Sequence, residues 1–364
     1  MPSARRHSVF HPLRVGSIER LTDDAVAITF DVPPELRDQF RFKAGQHVSI
    51  RSPVVGDDVR RNYSICAPAT SGRLRIGVKR IPDGVFSSYV AERLQPGDFL
   101  DIMTPTGSFS TALHAGQHKR YGAIAAGSGI TPVLSILSTA LEVEPGSSAV
   151  LVYVNRTTLG IMFLEDLEDL KNRYPDRFQL IHVLDEEPLD VEILSGRLDA
   201  DRLGRILDGL VLPDDVDEWF LCGPLPMTDV AREVLLAYGG DDQHIHRELF
   251  FVGPPPAAGG RVPVAAAAEP EAGADVTILL DGRSQSFVLP EDGASILDAT
   301  LRYRPDAPFA CKNGVCGTCR AKVVEGEVRM DANYALEPTD IAAGYALACQ
   351  SHPAADRVVL DFDQ

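Results

Sequence analysis

The sequence predicts a multi-domain protein with three domains in series: a small antiparallel β-barrel, a doubly wound α/β domain and a C-terminal α+β domain. Three patterns predict it. Short apolar runs separated by turn signals fill the first third of the chain, which is typical of a small barrel. Apolar strands then alternate with helical stretches, which favours a parallel sheet covered on both faces. A run from Gly253 to Asp275, rich in Pro, Ala and Gly and without periodicity, predicts a linker.

Length and charge narrow the possible functions. The chain has 364 residues, more than one hydrophobic core usually supports. It carries 35 Lys and Arg residues against 52 Asp and Glu residues, and this net charge of -17 argues against a nucleic-acid partner. No stretch approaches the roughly 18 apolar residues that a membrane-spanning helix needs. We therefore expect no membrane partner and a cytoplasmic location.

The changes in pattern also give the expected domain boundaries. We place the barrel in residues 1–115, the α/β domain in residues 116–252, the linker in residues 253–274 and the α+β domain in residues 275–364. In the α+β domain, two strands are expected to form a hairpin around Asp281 and Gly282, because Asp-Gly favours a tight turn.

Four cysteines near the C-terminus carry the strongest chemical signal. Three of them follow a C-x4-C-x2-C pattern and the fourth comes after 29 intervening residues, which is the spacing of plant-type 2Fe-2S ferredoxins. The candidate ligands are Cys311, Cys316, Cys319 and Cys349. A four-cysteine zinc site is the alternative, but zinc ribbons favour two C-x2-C pairs and the sequence has one. We therefore predict one 2Fe-2S cluster.

A second motif lies on a strand of the predicted barrel. Arg61, Tyr63 and Ser64 form an R-x-Y-S pattern, which by itself also fits an ordinary strand. In this position, ahead of the α/β domain, the pattern resembles the flavin motif of the ferredoxin-NADP reductase superfamily. The resemblance implies that Arg61 contacts the pyrophosphate of FAD, that Tyr63 packs on the isoalloxazine ring and that Ser64 hydrogen-bonds near flavin N5.

The segment that opens the next helix completes the implied flavin site. The superfamily resemblance implies that its backbone amides and hydroxyl groups bind the FAD phosphates, which suits the positive end of a helix. The residues concerned are Gly84, Val85, Phe86 and Ser87.

A glycine loop joins the first strand and the first helix of the α/β domain. Gly127, Gly129, Thr131 and Pro132 belong to a G-x-G-x-x-P pattern, and we expect the helix to begin at Pro132 because proline is favoured in a first turn. The pattern lacks the third glycine of a complete dinucleotide fingerprint. It resembles instead the loop of the reductase superfamily, which implies that the cofactor pyrophosphate lies at the helix N-terminus.

Two later segments resemble the parts of the superfamily that flank the nicotinamide and the flavin. Cys222, Gly223 and Pro224 resemble a C-G-P segment beside the nicotinamide ring, although a buried small residue is the alternative reading of Cys222. Glu248 and Phe250 belong to an H-x-E-x-F ending that resembles the flavin-side terminus, with an ordinary terminal strand as the alternative. The resemblance thus implies catalytic roles for Tyr63, Ser64, Cys222 and Glu248.

The expected cofactor preference depends on two arginines. Arg156 follows the second strand of the α/β domain, where the adenosine ribose is expected, and Arg197 is a second candidate. An arginine can pair with a 2′-phosphate, whereas an acidic residue at this place favours NAD. Each arginine could equally be a solvated surface residue. Because an arginine at this place can pair with the 2′-phosphate, we expect NADPH as the cofactor, with NADH possible.

The order of the parts predicts an electron-transfer reductase. Nicotinamide gives up two electrons as hydride and a 2Fe-2S cluster accepts one at a time, so FAD is needed to link the two. Flavin barrel, nucleotide domain, linker and β-grasp ferredoxin follow one another as in the oxygenase reductases that this chain resembles. That resemblance implies a separate oxygenase as the electron acceptor. A non-catalytic redox sensor that kept these folds is the alternative of another class.

One segment resembles a particular group of oxygenase reductases. The run from Met330 to Ser351 is similar to the reductase subunits of phenylacetyl-CoA epoxidases, which implies a role in phenylacetate catabolism. The reductases of 3-ketosteroid 9-alpha-hydroxylases share the layout and part of this segment, so they are the alternative. The implied substrate of the chain itself is NAD(P)H in both cases.

Overall fold

The computed structural model describes residues 9–52, 54–56, 59–250 and 273–364. The chain divides into two compact units. Among the described residues, the first unit contains residues 11–250 and the second contains residues 273–364. The predicted linker, residues 253–274, lies outside the described residues except for Gly273 and Ala274. Within the described part of the chain, no helix is both long enough and apolar enough to span a bilayer.

The first unit contains an antiparallel barrel. Its strands are β1 (Phe10–Thr22), β2 (Ala25–Asp31), β3 (His47–Arg51), β4 (Arg60–Ser64), β5 (Leu74–Lys79) and β6 (Phe99–Met103). They lie in the order β4-β3-β6-β1-β2-β5. Ile65, directly after β4, pairs with Ile76 of β5, so the two outer strands meet and the sheet closes. Helix α1 (Val85–Glu92) buries Phe86 in the core of this barrel, which confirms the predicted fold class.

A five-stranded parallel sheet forms the other half of the same unit. Its elements are β7 (Arg120–Ala126), α2 (Ile130–Val143), β8 (Ser148–Asn155), α3 (Leu164–Arg173), β9 (Phe178–Leu184), α4 (Ala200–Ile206), β10 (Glu218–Gly223), α5 (Leu225–Ala237) and β11 (Ile245–Leu249). The strand order is β11-β10-β7-β8-β9. Tyr121 is buried on one face of the sheet and Ile124 on the other. The predicted doubly wound sheet is therefore confirmed.

One detail of the prediction is wrong. Helix α2 begins at Ile130 rather than at Pro132, directly after a 3-10 turn over Gly127–Gly129. Pro132 is the third residue of the helix, where a backbone N–H would have no partner within the helix anyway. Proline therefore marks the correct turn of the helix but not its first residue.

A charged cluster connects the barrel to the α/β domain within the first unit. Arg75 of β5 is only 5% exposed. Its Nη1 lies 2.7 Å from Asp166 Oδ1, and its Nη2 lies 2.8 Å from Glu19 Oε2. The guanidinium carbon stands 5.1 Å from the ring centre of Phe163. Since Asp166 and Phe163 belong to the α/β domain, this arginine holds the two domains together.

The C-terminal unit has an α+β fold. Its elements are β12 (Ala274–Leu280), β13 (Arg283–Leu289), α6 (Ile296–Tyr303), β14 (Arg320–Glu325), β15 (Val328–Met330), α7 (Pro338–Ala342), β16 (Tyr345–Leu347), β17 (Ser351–Pro353) and β18 (Arg357–Asp361). Five strands form a mixed sheet in the order β13-β12-β18-β14-β16, and β15 pairs with β17. Ile296 of α6 is buried in the same core as Ile278 and Leu360. Asp281 and Gly282 form the predicted hairpin turn with φ angles of 53° and 68°.

Candidate functional site

The carboxyl ends of the five parallel strands form one edge of the α/β sheet, and the predicted motifs meet along it. Parallel strands end on the same side, so residues that are distant in sequence become neighbours there. Gly127 follows β7, Arg156 follows β8, Asp185 follows β9, Gly223 ends β10 and Glu248 lies near the end of β11. Such an edge is the usual place for a dinucleotide in an open α/β sheet.

The glycine loop fits a bound pyrophosphate. A Cβ atom at Gly129 would stand 2.2 Å from the carbonyl oxygen of Cys222, so this packing requires glycine. Gly127 adopts a φ of 51°, and apart from its chain neighbours no described atom lies within 4 Å of where its Cβ would be. The loop therefore packs tightly against β10 on one side and leaves open space beside Gly127, close to the N-terminus of α2.

Three of the four residues with implied catalytic roles meet in one buried cluster. Ser64 Oγ donates a hydrogen bond to Glu248 Oε2 over 3.2 Å. Cys222 lies opposite Glu248 in the pairing of β10 with β11. The Cys222 side chain is fully buried, and that of Glu248 is 15% exposed. The barrel and the α/β domain thus each contribute to a cluster that the linear sequence does not bring together.

Burial sets the charge of this cluster. It raises the pKa of Glu248 to about 8, although the hydrogen bond from Ser64 acts in the opposite direction. Burial, together with the nearby carboxyl of Glu248, also raises the pKa of the Cys222 thiol. Both groups are therefore protonated at neutral pH, and the Glu248 carboxyl can hold a proton within reach of Ser64.

His47 also faces this cluster, and no motif in the sequence indicates it. Its Nδ1 lies 4.0 Å from Glu248 Oε1, and its backbone pairs with that of Ser64. Burial lowers the pKa of His47 to about 4. Within the described residues, His47 Nε2 is buried without a hydrogen-bond partner. A buried ring nitrogen of this kind fits a site in which a cofactor supplies the missing polar contact.

Tyr63 and Arg61 lie on the barrel side of the site. The rings of Tyr63 and Phe86 are 5.6 Å apart and inclined by 35°. Burial raises the pKa of Tyr63, so the phenol stays neutral. Arg61 is exposed and its Nη1 donates to the backbone oxygen of Arg60 over 2.8 Å. An aromatic ring near a solvent-facing guanidinium suits both the ring system and the phosphates of FAD.

The first turn of α1 uses one of the implied phosphate ligands internally. The hydroxyl of Ser87 donates to the Gly84 carbonyl over 3.2 Å and accepts from the Ile81 amide over 3.3 Å. A Cβ atom at Gly84 would lie 2.4 Å from Ser87 Oγ, so glycine is needed in this turn. Val85 is 53% exposed. The backbone amides at this exposed helix start, rather than the Ser87 hydroxyl, are available for phosphate.

The two arginines implied at the adenosine end lie close to the same strand edge. Arg156 directly follows β8, and its side chain is 82% exposed. Its Nε stands 3.6 Å from Oε1 of Glu186, an acidic neighbour that the sequence pattern did not reveal. The Gly196 amide donates to the Leu184 carbonyl over 2.7 Å, which places the exposed Arg197 next to the end of β9.

The four cysteines of the C-terminal unit lie in two pairs. Hydrogen bonding couples Cys311 to Cys316 and Cys319 to Cys349. Within the described residues, no three His, Cys, Asp or Glu side chains surround a point that would hold a single metal ion. Two pairs of thiols fit two irons better than one tetrahedral zinc ion.

The loop around the cysteines supplies hydrogen-bond donors to the sulfurs. The Asn313 amide donates to Cys311 Sγ over 3.3 Å, and the Gly314 amide hydrogen-bonds to Cys349. Gly314 has a φ of 76°, a conformation that favours glycine. The Cys316 thiol and the loop amides lower the pKa of Cys311, so the loop favours a thiolate there. The residues present therefore fit a 2Fe-2S cluster.

Comparisons with known proteins agree with this arrangement. Three family models match the chain: the oxidoreductase FAD-binding domain over residues 12–111, the oxidoreductase NAD-binding domain over residues 123–233, and the 2Fe-2S iron-sulfur cluster binding domain over residues 278–354. The chain is 44% identical over 356 residues to a 1,2-phenylacetyl-CoA epoxidase subunit of Escherichia coli strain K12, with 98% of both chains covered. It is 35% identical over 355 residues to the ferredoxin reductase component of the 3-ketosteroid-9-alpha-monooxygenase of Rhodococcus rhodochrous, with 96% of both covered.

Solved structures share the fold. Phthalate dioxygenase reductase is 21% identical with a TM-score of 0.56, covering 97% of this chain and 98% of that one. An intact type IV self-sufficient cytochrome P450 monooxygenase is 22% identical with a TM-score of 0.68, covering 96% of this chain and 41% of the longer one. Together with the full-length relatives, these findings show that the chain belongs to the ferredoxin-NADP reductase superfamily, as an NAD(P)H-dependent flavin and iron-sulfur oxidoreductase with a C-terminal 2Fe-2S domain.

Proposed function

We propose that this chain carries electrons from NADPH through FAD and its own 2Fe-2S cluster to a separate oxygenase, and that this oxygenase epoxidises a phenylacetyl-CoA-type thioester. The observation that carries the proposal is the 44% identity to the epoxidase subunit across 98% of both chains. The run from Met330 to Ser351, which includes the cluster ligand Cys349, supports the same pathway. We also propose that the chain acts in the cytoplasm, where thiols stay reduced.

FAD, when bound, accepts hydride from the nicotinamide and releases electrons one at a time. We assign the surrounding residues to binding and orientation. Arg61 and the first-turn amides of Val85, Phe86 and Ser87 hold the FAD phosphates, because the Gly84 amide already donates to the Ile81 carbonyl over 3.1 Å. Tyr63 packs against the flavin ring. These roles are supported by the exposed guanidinium of Arg61 and by the open start of α1.

Ser64, Cys222 and Glu248 would form the reaction face. In this proposal Cys222 shields the nicotinamide from water, and Ser64 fixes the flavin edge through its hydroxyl. Glu248 holds a proton beside that hydroxyl, because burial raises its pKa to about 8. The 3.2 Å contact between Ser64 Oγ and Glu248 Oε2 supports this assignment.

The remaining motif residues would bind the nicotinamide cofactor. The loop from Gly127 to Pro132 takes its pyrophosphate, and Gly223 and Pro224 shape the nicotinamide end. Arg156 and Arg197 face the adenosine end and favour NADPH over NADH, since an arginine forms strong charge-assisted pairs with phosphate. We therefore expect Arg156→Ala to raise the Michaelis constant for NADPH much more than that for NADH.

The four paired cysteines would ligate the cluster. Donors such as the Asn313 and Gly314 amides stabilise negative charge on sulfur, which is one way in which a protein tunes a cluster. The sequence contains no Glu-x-x-His pair of the kind that builds a di-iron site on facing helices. We therefore expect oxygenation to take place in the partner, where the thioester would also bind.

Reconstitution tests the pathway. The purified chain with NADPH should support epoxidation by a phenylacetyl-CoA oxygenase complex. Support only for a Rieske-type steroid hydroxylase would overturn the assignment in favour of the alternative, which the 35% identity to a 3-ketosteroid monooxygenase reductase keeps open. A chain whose cluster is not reduced by NADPH would instead be a non-catalytic sensor.

A further inference from the structure

The loops that follow β8 and β9 lie side by side at the adenosine end of the site. The backbone pairing of the two strands continues past their ends, because the Asp185 amide donates to the Asn155 carbonyl and the Glu186 amide donates to the Arg156 carbonyl, each over 2.9 Å. Three acidic residues, Asp185, Glu186 and Glu187, therefore follow β9 directly beside Arg156.

Two of these carboxylates interact with the neighbouring loop, one through an ion pair with Arg156 and the other through hydrogen bonds from Thr158. Glu186 Oε1 lies 3.6 Å from Nε of Arg156. Glu187 accepts two hydrogen bonds from Thr158, one from its amide over 2.7 Å and one from its hydroxyl over 2.9 Å. These bonds lower the pKa of Glu187, so its carboxylate is fully ionised at neutral pH. A carboxylate held by an amide and a hydroxyl in this way uses the same donors that a phosphate would use.

A cofactor with a 2′-phosphate must compete with these carboxylates. The 2′-phosphate needs the guanidinium of Arg156, but Glu186 lies beside that group. The nearby amide of Thr158 already donates to Glu187. A 2′-hydroxyl carries no charge and has no such conflict. We infer that Glu186 and Glu187 are specificity-determining residues that occupy the 2′-phosphate subsite and reduce the affinity for NADPH relative to NADH. The inference depends on the placement of the adenosine ribose beside Arg156 in the proposed function.

Binding of nucleotide fragments tests this directly, without turnover. The probes are 2′,5′-ADP, which carries the 2′-phosphate, and 5′-ADP, which lacks it, titrated calorimetrically into the full-length, cofactor-loaded chain. In the double variant Glu186→Gln with Glu187→Gln the charges are removed, while each amide oxygen can still accept a hydrogen bond. Since each exposed charge pair contributes modestly, 2′,5′-ADP should bind about tenfold more tightly than to the native chain at low salt, and 5′-ADP should change less than about twofold.

Asp185→Asn is the matched control. It removes a neighbouring charge, but within the described residues its carboxylate pairs with neither Arg156 nor Thr158, so it should give only a small gain. An equal gain from this control would overturn the occupancy of the subsite, and so would no gain from the double variant.

A third variant separates this inference from the proposed function. Adding Arg156→Ala to the double variant should abolish the gain in 2′,5′-ADP affinity. If 2′,5′-ADP binds no better than 5′-ADP in any variant, the placement of the phosphate at Arg156 is wrong. If the Arg156→Ala chain alone loses 2′,5′-ADP affinity but the double variant gains none, the placement holds and only the role of the two carboxylates is refuted.

Discussion

Replacement of Glu248 by glutamine should make the protein more stable at higher pH. The carboxyl of Glu248 has a pKa of about 8 in the folded chain, against an ordinary value of 4.5. Between these two values the folded state keeps a proton that the unfolded state releases. The free energy of unfolding therefore falls as pH rises through this interval, and this part of the stability is complete only below pH 4.5. Glutamine has the same shape and remains neutral, so the free energy of unfolding of the variant does not fall with pH for this reason.

The magnitude follows from the interval. Each unit of difference between the folded and unfolded pKa is equivalent to about 1.4 kcal/mol. The free energy of unfolding of Glu248→Gln, relative to the native chain, should therefore increase by about 1.4 kcal/mol per pH unit, a gain of about 5 kcal/mol between pH 4.5 and pH 8. His47 has a pKa of about 4, and its contribution is common to both chains, so it largely cancels in the comparison.

The assay is urea-induced unfolding of the cofactor-loaded chains at pH 5, 6, 7 and 8. A chain of several domains with cofactors does not unfold in one step, so the signal must report on the first unit alone. The fluorescence of FAD released from this unit is such a signal. Glu233→Gln, which changes an exposed carboxylate of α5, is the control and should follow the native chain at every pH. A difference between Glu248→Gln and the native chain that stays constant with pH, or shrinks as pH rises, would refute the assignment of a buried neutral carboxyl.

Four further measurements have expected outcomes. Arg75→Met should lower the free energy of unfolding of the first unit by about 1–3 kcal/mol in chemical denaturation, because its carboxylate partners lose their hydrogen bonds; an unchanged value would show that the ion pairs do not connect the domains. Gly129→Ala should sharply raise the Michaelis constant for the nicotinamide cofactor, since its Cβ has no room, and unchanged kinetics would contradict that packing. A chain truncated after Val252 should keep FAD and NADPH-driven reduction of an artificial two-electron acceptor but lose transfer to the oxygenase; failure to fold would show that our domain boundary is wrong. Native protein should contain about two irons and about two acid-labile sulfides per chain. The Cys319→Ser variant should lose both, and the control Cys66→Ser should keep them. One zinc ion without sulfide in the native protein would refute the cluster.

Local sequence predicts the parts of this molecule that depend on local chemistry. The spacing of the cysteines predicts a loop that presents three thiols and a distant fourth thiol that completes the set. The Asp281 and Gly282 pair predicts a turn that needs two positive φ angles. The alternation of strands and helices predicts the doubly wound sheet, because the hydrophobic period differs between the two kinds of element. The predicted start of α2 lies two residues too late, because proline is tolerated throughout the first turn of a helix and does not mark its first residue.

Contacts across strands could not be predicted in this way. His47 becomes a candidate site residue only because β3 pairs with β4, and the linear sequence does not state that pairing. The same holds for Glu186, whose position beside Arg156 depends on the register of β8 and β9. Both residues are polar and would pass for surface residues in an isolated strand or loop.

The tight contact between Gly129 and the Cys222 carbonyl has a consequence for how this protein would hold the nicotinamide half of its cofactor. The two segments that would hold the pyrophosphate and the nicotinamide touch each other through backbone atoms, so neither can move without the other. The fold thus fixes the distance between the Gly129 loop and the Cys222 segment. Reduced nicotinamide mononucleotide carries the ring and the adjoining phosphate, so both of its ends can reach these two points. The adenosine half lies beyond them, so removing it should weaken binding of the hydride donor without changing the position of the ring.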